Sequence, residues 1–324
     1  MQAYIIRRLL LIIPTLLLLT ILIFSLIHII PGDIIDAMQK VPDIKLDRAA
    51  LEQAMGLDAP LLVQYGRWMG VAPQMDGSFS GVFQGNLGES FFQKKSVVEL
   101  VSSAWLVTLQ LASMAFIIAQ LIALPIGIYS ALRQDKWGDY IGRSFAILCI
   151  AVPGFWLGTL IMVFPAIWWD YMPPIMLVHF TEDPIGNLRM FIIPAIILGM
   201  EHAGASMRIT RTQVLEVLRQ DYITTAWAKG LRERVVVMRH TLKNALIPVV
   251  SGIGLQVPIL IGGTVIIENI FCLPGMSRLI IDALIHRDKQ LLCGVVLVFA
   301  VLLVLVNLMV DLTYAYLDPR VQYK

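Results

Sequence analysis

Charge is scarce in this chain. Only 15% of its 324 residues are Asp, Glu, Lys or Arg, against about a quarter in soluble domains. The charges are clustered, so long stretches carry none. Mean hydropathy is +0.77 and 58% of residues are hydrophobic, more than the cores of two soluble domains of this total length could hide. Cysteine is equally thin. Cys149, Cys272 and Cys293 stand at no metal-site or redox spacing, which excludes a disulfide scaffold. No GxxxxGK[ST] phosphate loop, HExxH or GxSxG occurs, so the strings of a P-loop nucleotide hydrolase, a zinc protease and a serine hydrolase are absent. A soluble enzyme, a disordered chain and a collagen are excluded as well. An integral membrane protein remains.

A helix needs roughly 20 mainly apolar residues to cross the hydrocarbon layer. Residues 9–30 are uncharged and rich in Leu and Ile, and 100–132, 144–169, 244–267 and 290–310 carry no charge. A further segment, 190–207, is interrupted by Glu201 and His202 and ends at Arg208. The expected fold is all-α, a polytopic membrane bundle of six transmembrane helices. Arg7 and Arg8 ahead of the first run resemble the start of a signal peptide. The run is longer than an h-region, and residues 27–31 offer no small-residue cleavage site, so it is expected to stay as an anchor.

Lys and Arg placement orients the bundle. With the N-terminus inside, segments 1–8, 133–143, 208–243 and 311–324 hold fifteen basic residues, and 31–99, 170–189 and 268–289 hold ten. Both termini are therefore expected in the cytoplasm. Acids follow the same division, giving +8 inside and −5 outside, and Glu201 within the fourth span brings the total to the formal +2. A charge balance of this kind is ordinary for a membrane protein and implies no nucleic-acid partner.

Two loops are long. The outer one, 31–99, has helical character at 47–55 and a Gly-rich, irregular run at 77–88; it is either a solvated cap or a docking surface for an external partner. The inner one, 208–243, is more specific. Asp221 can cap a short helix that ends at Lys229, a cation suited to the C-terminal dipole, before Gly230 at a left-handed stop. A second helix follows, with Leu231, Val235, Met238 and Leu242 at helical spacing and Arg232, Arg234, Arg239 and Lys243 on its other faces. The pair reads either as an amphipathic element in the headgroups or as a knob for a cytoplasmic subunit.

At this loop the chain resembles the permease subunits of binding-protein-dependent ABC importers, in the branch that handles dipeptides, oligopeptides and nickel. The carrying residues are Asp221-Tyr222-Ile223-Thr224-Thr225-Ala226-Trp227-Ala228-Lys229-Gly230-Leu231 and Arg239-His240-Thr241-Leu242-Lys243-Asn244-Ala245-Leu246-Ile247-Pro248. Matches extend to Ile30-Pro31-Gly32-Asp33, Met55-Gly56-Leu57-Asp58-Ala59-Pro60, Gly85-Asn86-Leu87-Gly88-Glu89-Ser90, Ile267-Glu268-Asn269-Ile270-Phe271 and Leu317-Asp318-Pro319-Arg320. The chain departs from the family pattern at Thr224-Thr225-Ala226, at Trp227, at Glu201-His202 and at Lys289-Gln290. The resemblance implies a multi-pass subunit of a bacterial or archaeal inner membrane. Its division would be a tail and first span over 1–30, an extracytoplasmic loop over 31–99, and a permease core over 100–324 with the coupling loop 208–243. It further implies a second homologous permease, two ATPase subunits that carry ATP and Mg, and an extracytoplasmic binding protein. The chain itself would bind no cofactor and catalyse nothing. Asp221, Thr224, Thr225, Ala226, Lys229, Gly230 and Leu231 would couple to the ATPase.

Glu201 is either interfacial or part of a gate, and Met200, His202 and Met207 make a poor metal site without further ligands. Gly154 and Gly158 have GxxxG spacing, which suits close helix packing. Pro248 and Pro258 interrupt the fifth span. With Gly252 and Gln256 they make that span the expected wall of the pathway. The alternatives are nickel import by the same machinery, a proton-coupled secondary transporter using Glu201 and His202, and a receptor or anchor without transport.

Overall fold

The computed structural model describes residues 2–29, 48–54, 56–170 and 177–317. Among these residues there is no β-strand, only an isolated bridge between Glu89 and Ser96. The helices in chain order are α1 (Gln2–Ile29), α2 (Arg48–Ala54), α3 (Leu61–Met69), α4 (Val97–Leu132), α5 (Trp137–Ala151) and α6 (Gly154–Trp169). They continue as α7 (Pro184–Leu218), α8 (Asp221–Ala228), α9 (Glu233–Gly254), α10 (Val257–Ile270), α11 (Met276–Ile285) and α12 (Lys289–Leu317). By length and composition α1, α4, α7 and α12 can each cross a membrane. The bent pairs α5–α6 and α9–α10 bring the count to six if each pair is one span.

The third predicted span is broken. Val152 and Pro153 take extended backbone, and α5 and α6 meet at 83°. Proline has no N–H to continue the helix and pushes the residue before it out of the helical region. The fifth span bends by 44° between Gly254 and Val257, just ahead of Pro258. Pro248 lies within α9 without ending it, so only one of the two prolines marks the break. The fourth segment sits inside the 35-residue α7. Asp183 starts α7, its Oδ1 accepting from the N–H groups of Ile185 and Gly186, with Pro184 in the first turn. The helix continues past Arg208 to Leu218, so the inner loop expected from 208 begins at 219. A charge ends an apolar run without ending a helix, and buried Thr210 and Val214 carry α7 onward.

Two compact units divide the chain. One comprises Thr108–Leu273 and the described residues from Leu305 onward. Within it α7 is the central helix, packed by α5, α6, α9 and α10. Small residues make the seam between α4, α5 and α7, with Ala119, Ala123, Ala146, Cys149 and Ala203 all buried. Without a hydrophobic drive between helices in lipid, such close approach supplies the packing energy. The tightest points are Gly199 and Gly204 on α7, where a Cβ would stand 2.7 Å from the carbonyl oxygens of Ala115 and Ala146. At Gly154 and Gly158 the nearest atoms would be 3.8 and 3.4 Å away, which is ordinary contact, so that pair packs without requiring glycine. Gly204→Ala is expected to destabilise the chain by about 1–3 kcal/mol, the range for overpacking. A lowered unfolding temperature in detergent checks this.

The other unit comprises Gln2–Val107 and Pro274–Val304. Its core gathers Ile23, Trp68, Val97, Met276 and Leu291 from α1, α3, α4, α11 and α12. Asp288 is fully buried and clamps the 88–96 segment, accepting from Ser90 Oγ at 2.7 Å and from the Phe92 N–H, while its other oxygen accepts from Leu291 N–H in the first turn of α12. The helical character read at 47–55 is present as α2, its end residues 47 and 55 lying outside the described residues. All three cysteines are free.

Candidate functional site

The inner loop forms the expected helix–elbow–helix, with differences in detail. Asp221 is the first residue of α8 and makes no side-chain cap; Gln220, in extended backbone, takes the cap position. The Asp221 carboxylate still lies in the first turn, where it suits the dipole, and its carbonyl accepts from Thr225 Oγ1 at 3.0 Å. Gly230 has φ +74, and the Gly230 N–H donates to Trp227 O at 2.9 Å. This left-handed stop is where glycine alone pays no steric cost.

Ile223 and Ala226 are buried against Val236 and seat α8 on the unit. Ala226, expected among the coupling contacts, therefore points into the seat, away from solvent. Asp221, Thr224, Thr225, Lys229, Gly230 and Leu231 are exposed. A second anchor was not foreseen: the Asn244 Nδ2–H donates to Tyr222 Oη at 2.9 Å, tying α8 to α9.

The helix after the elbow is not a separate short element. It runs into the fifth span as α9, through a π-helical stretch at Val236–Thr241. The wider turn changes which residues face inward. Val236, Val237, Thr241, Leu242 and Ala245 are buried, whereas Leu231, Val235 and Met238 of the expected apolar stripe are exposed. A period of 3.6 fails across a π-bulge, a feature frequent at functional sites. Together with Tyr222 and Trp227, these residues leave an exposed apolar surface around the elbow.

The base of this unit is pinned by a carboxylate that accepts from four groups. Asp139 on α5 is fully buried. Its Oδ1 accepts from Arg211 Nε at 2.7 Å and from Ser130 Oγ; its Oδ2 accepts from Arg211 Nη2 at 2.7 Å and from the Asp135 N–H at 3.0 Å. The bidentate fork joins the end of α4, the start of α5 and α7. Nothing in the spacing of these residues advertised the pair, since each stood in a predicted inner segment as one loop charge.

The fifth-span candidates lie against α7. Gly252 faces Ile209, where a Cβ would stand 3.2 Å from Cδ1. Gln256, at the break, donates to Ser206 Oγ at 3.3 Å, and Gln120 of α4 reaches the same oxygen at 3.5 Å. Pro258 lies in the first turn of α10. Buried Gln120 Oε1, Gln256 Oε1 and Thr210 Oγ1 make no hydrogen bond among the described residues, so this core is polar where three helices meet. His202 belongs to this buried side of α7, while neighbouring Glu201 is exposed.

A second acid lies within a helix of the expected bundle. Glu268 in α10 is completely buried and accepts from Thr108 Oγ1 at 2.7 Å. In the sequence it stands at the head of the outer segment 268–289, the first charge after an apolar run. The signal available was its place within the 267–271 match.

Residues 123–323 match the family described as binding-protein-dependent transport system inner membrane component, and residues 1–112 match the N-terminal part of such membrane components. A protein of Brucella abortus (strain 2308) named for a peptide transport system permease is 36% identical over 325 residues, covering 100% of both chains. Glutathione transport system permease protein GsiC of Salmonella typhimurium is 35% identical over 327 residues, again across 100% of both. Among solved structures, an inward-facing form of the MetNI methionine ABC transporter aligns with TM-score 0.55 at 14% identity, over 68% of this chain and 97% of the other. An amino acid ABC transporter aligns with TM-score 0.54 at 14% identity, over 68% and 94%. These two share the fold. The chain belongs to the inner membrane components of binding-protein-dependent transport systems, as a multi-pass permease subunit of an ABC importer.

Proposed function

We propose that this permease imports peptides, with both termini in the cytoplasm and the 31–99 loop outside. The observation that carries the coupling role is the elbow. Ile223 and Ala226 fix α8 from below, so Thr224, Thr225, Lys229 and Gly230 stand exposed on a rigid seat. A knob held in this way transmits displacement between an attached subunit and α9, which continues directly into the fifth span. The supported assembly is this chain with a second homologous permease, two ATPase subunits and an extracytoplasmic binding protein. ATP and Mg belong to the ATPases, and this chain supplies no catalytic group. ATP-driven closure of the ATPases would switch the bundle between two states.

Relatives named for peptide and glutathione transport favour a peptide over nickel. Membership in an ABC importer family removes the proton-coupled and receptor readings. Glu201, Gly252, Gln256 and Pro258 are the candidates for the pathway wall or its gate. Reconstitution of the complete assembly in liposomes tests this. Labelled dialanine and trialanine are expected to enter only with ATP and the binding protein. Entry driven by a proton gradient without ATP, or transport of nickel but of neither peptide, would overturn it.

A further inference from the structure

We propose a binding site for an anionic phospholipid headgroup between α4, α5 and α7, where Arg143 and Arg208 stand over an apolar trench. The cavity there holds about 300 Å³ and is lined by Arg143 and Arg208 with Ile126, Ala146, Ile147 and Met207. Arg211 also lines it, but its guanidinium is committed to Asp139. Arg143 and Arg208 are exposed and form no ion pair among the described residues. Ile126 and Gly142 are shared with an adjoining cavity of about 540 Å³ walled by Pro125, Tyr129, Ile141 and Phe145. Gly142 opens the trench, since a Cβ there would stand 3.3 Å from Ile126 Cγ2.

The site combines two chemistries that one ligand rarely offers outside a membrane. Two guanidinium groups without carboxylates call for an anion, and arginine suits phosphate in particular. The neighbouring trench calls for a chain of methylenes. Exposed aromatics fix the depth: Trp137 (84% exposed), Tyr140 and Tyr129 cluster at the same end of α4 and α5, as side chains do at headgroup level. The arginines therefore lie where phosphates lie, and the apolar walls lie where acyl chains begin. Basic pockets between helices on the cytoplasmic side are the form that such recognition takes. Assignment to the inner leaflet rests on the orientation proposed above; the binding itself does not.

The test uses the complete transporter purified in mild detergent and native mass spectrometry with equimolar phosphatidylglycerol and phosphatidylethanolamine. Phosphatidylglycerol is expected to be retained preferentially. Arg143→Gln and Arg208→Gln should each weaken its retention by about fivefold, the scale for one basic side chain near an anionic surface. The double variant should lose the preference, and Arg143→Lys with Arg208→Lys should keep most of it, which separates charge from folding. Phosphatidylglycerol nanodiscs, but not inorganic phosphate in detergent, should raise the unfolding temperature of the parent above that of the double Gln variant. Equal retention of both lipids, an unchanged preference in the double variant, or equal stabilisation by phosphate alone would overturn the proposal. None of these readouts needs nucleotide, peptide or uptake, so they fail independently of the transport reading.

Discussion

Gly230→Val is expected to lower ATP-driven uptake by about tenfold while leaving the subunit in the membrane. At φ +74 a non-glycine residue meets its own carbonyl, a cost of roughly 1–2 kcal/mol that β-branching increases. No atom lies within 4 Å of a Cβ built there, so crowding by neighbours contributes nothing. The strain is relieved only by turning the elbow, which swings the exposed face of α8 away from its partner. A graded series then follows. Gly230→Asn should stay close to the parent, because Asn tolerates the left-handed region; Gly230→Ala should fall between. Gly230→Asp matches Asn in backbone tolerance, so the difference between Asp and Asn isolates the effect of a charge on the docked surface. Uptake into vesicles, normalised to the amount of inserted subunit, reads the order. Valine within twofold of the parent would refute a conformational role for Gly230.

The membrane class and the all-α plan of four to six spans were legible because they depend on mean hydropathy and on runs long enough to cross a bilayer, which are one-dimensional properties. The elbow was legible for a related reason: a short helix that ends in Lys229-Gly230 is a local event. What escaped was set by contacts distant in sequence. Asp139 and Arg211 are 72 positions apart, and Glu268 and Thr108 are 160 apart. Treating every charge as the end of a span hid both. The break after Ala151 was readable from Pro153 but masked by the uniform hydropathy around it. The π-helical stretch at Val236–Thr241 could not be read from periodicity, since it is the place where the period changes. Gly252 and Gln256 face α7, and the polar core they join also draws on Gln120, Ser206 and His202, contributed by other helices, so its make-up was not legible in any one segment.

The Asp139–Arg211 pair supplies the largest expected stability effect. Asp139→Ala removes the acceptor of four hydrogen bonds and leaves Arg211 without its counter-charge. Breaking one side of a buried pair typically costs about 3–5 kcal/mol. The Arg211 side chain keeps 21% of its surface exposed, so solvent recovers part of the loss and a value of about 3 kcal/mol is expected. Arg211→Met should cost less than Asp139→Ala. Without Arg211, Asp139 still accepts from Ser130 and from the Asp135 N–H. The double variant Asp139→Leu/Arg211→Met leaves no uncompensated charge and replaces the pair with apolar volume, a change that is often close to neutral. The sum of the single effects should therefore exceed the double effect by about 2 kcal/mol, within the range for residues in direct contact. Unfolding of the four proteins in the same detergent measures the cycle. Strict additivity would show that the fork contributes no coupling between α5 and α7. A positive coupling would show that the fork ties α5 to α7 at the base of the unit.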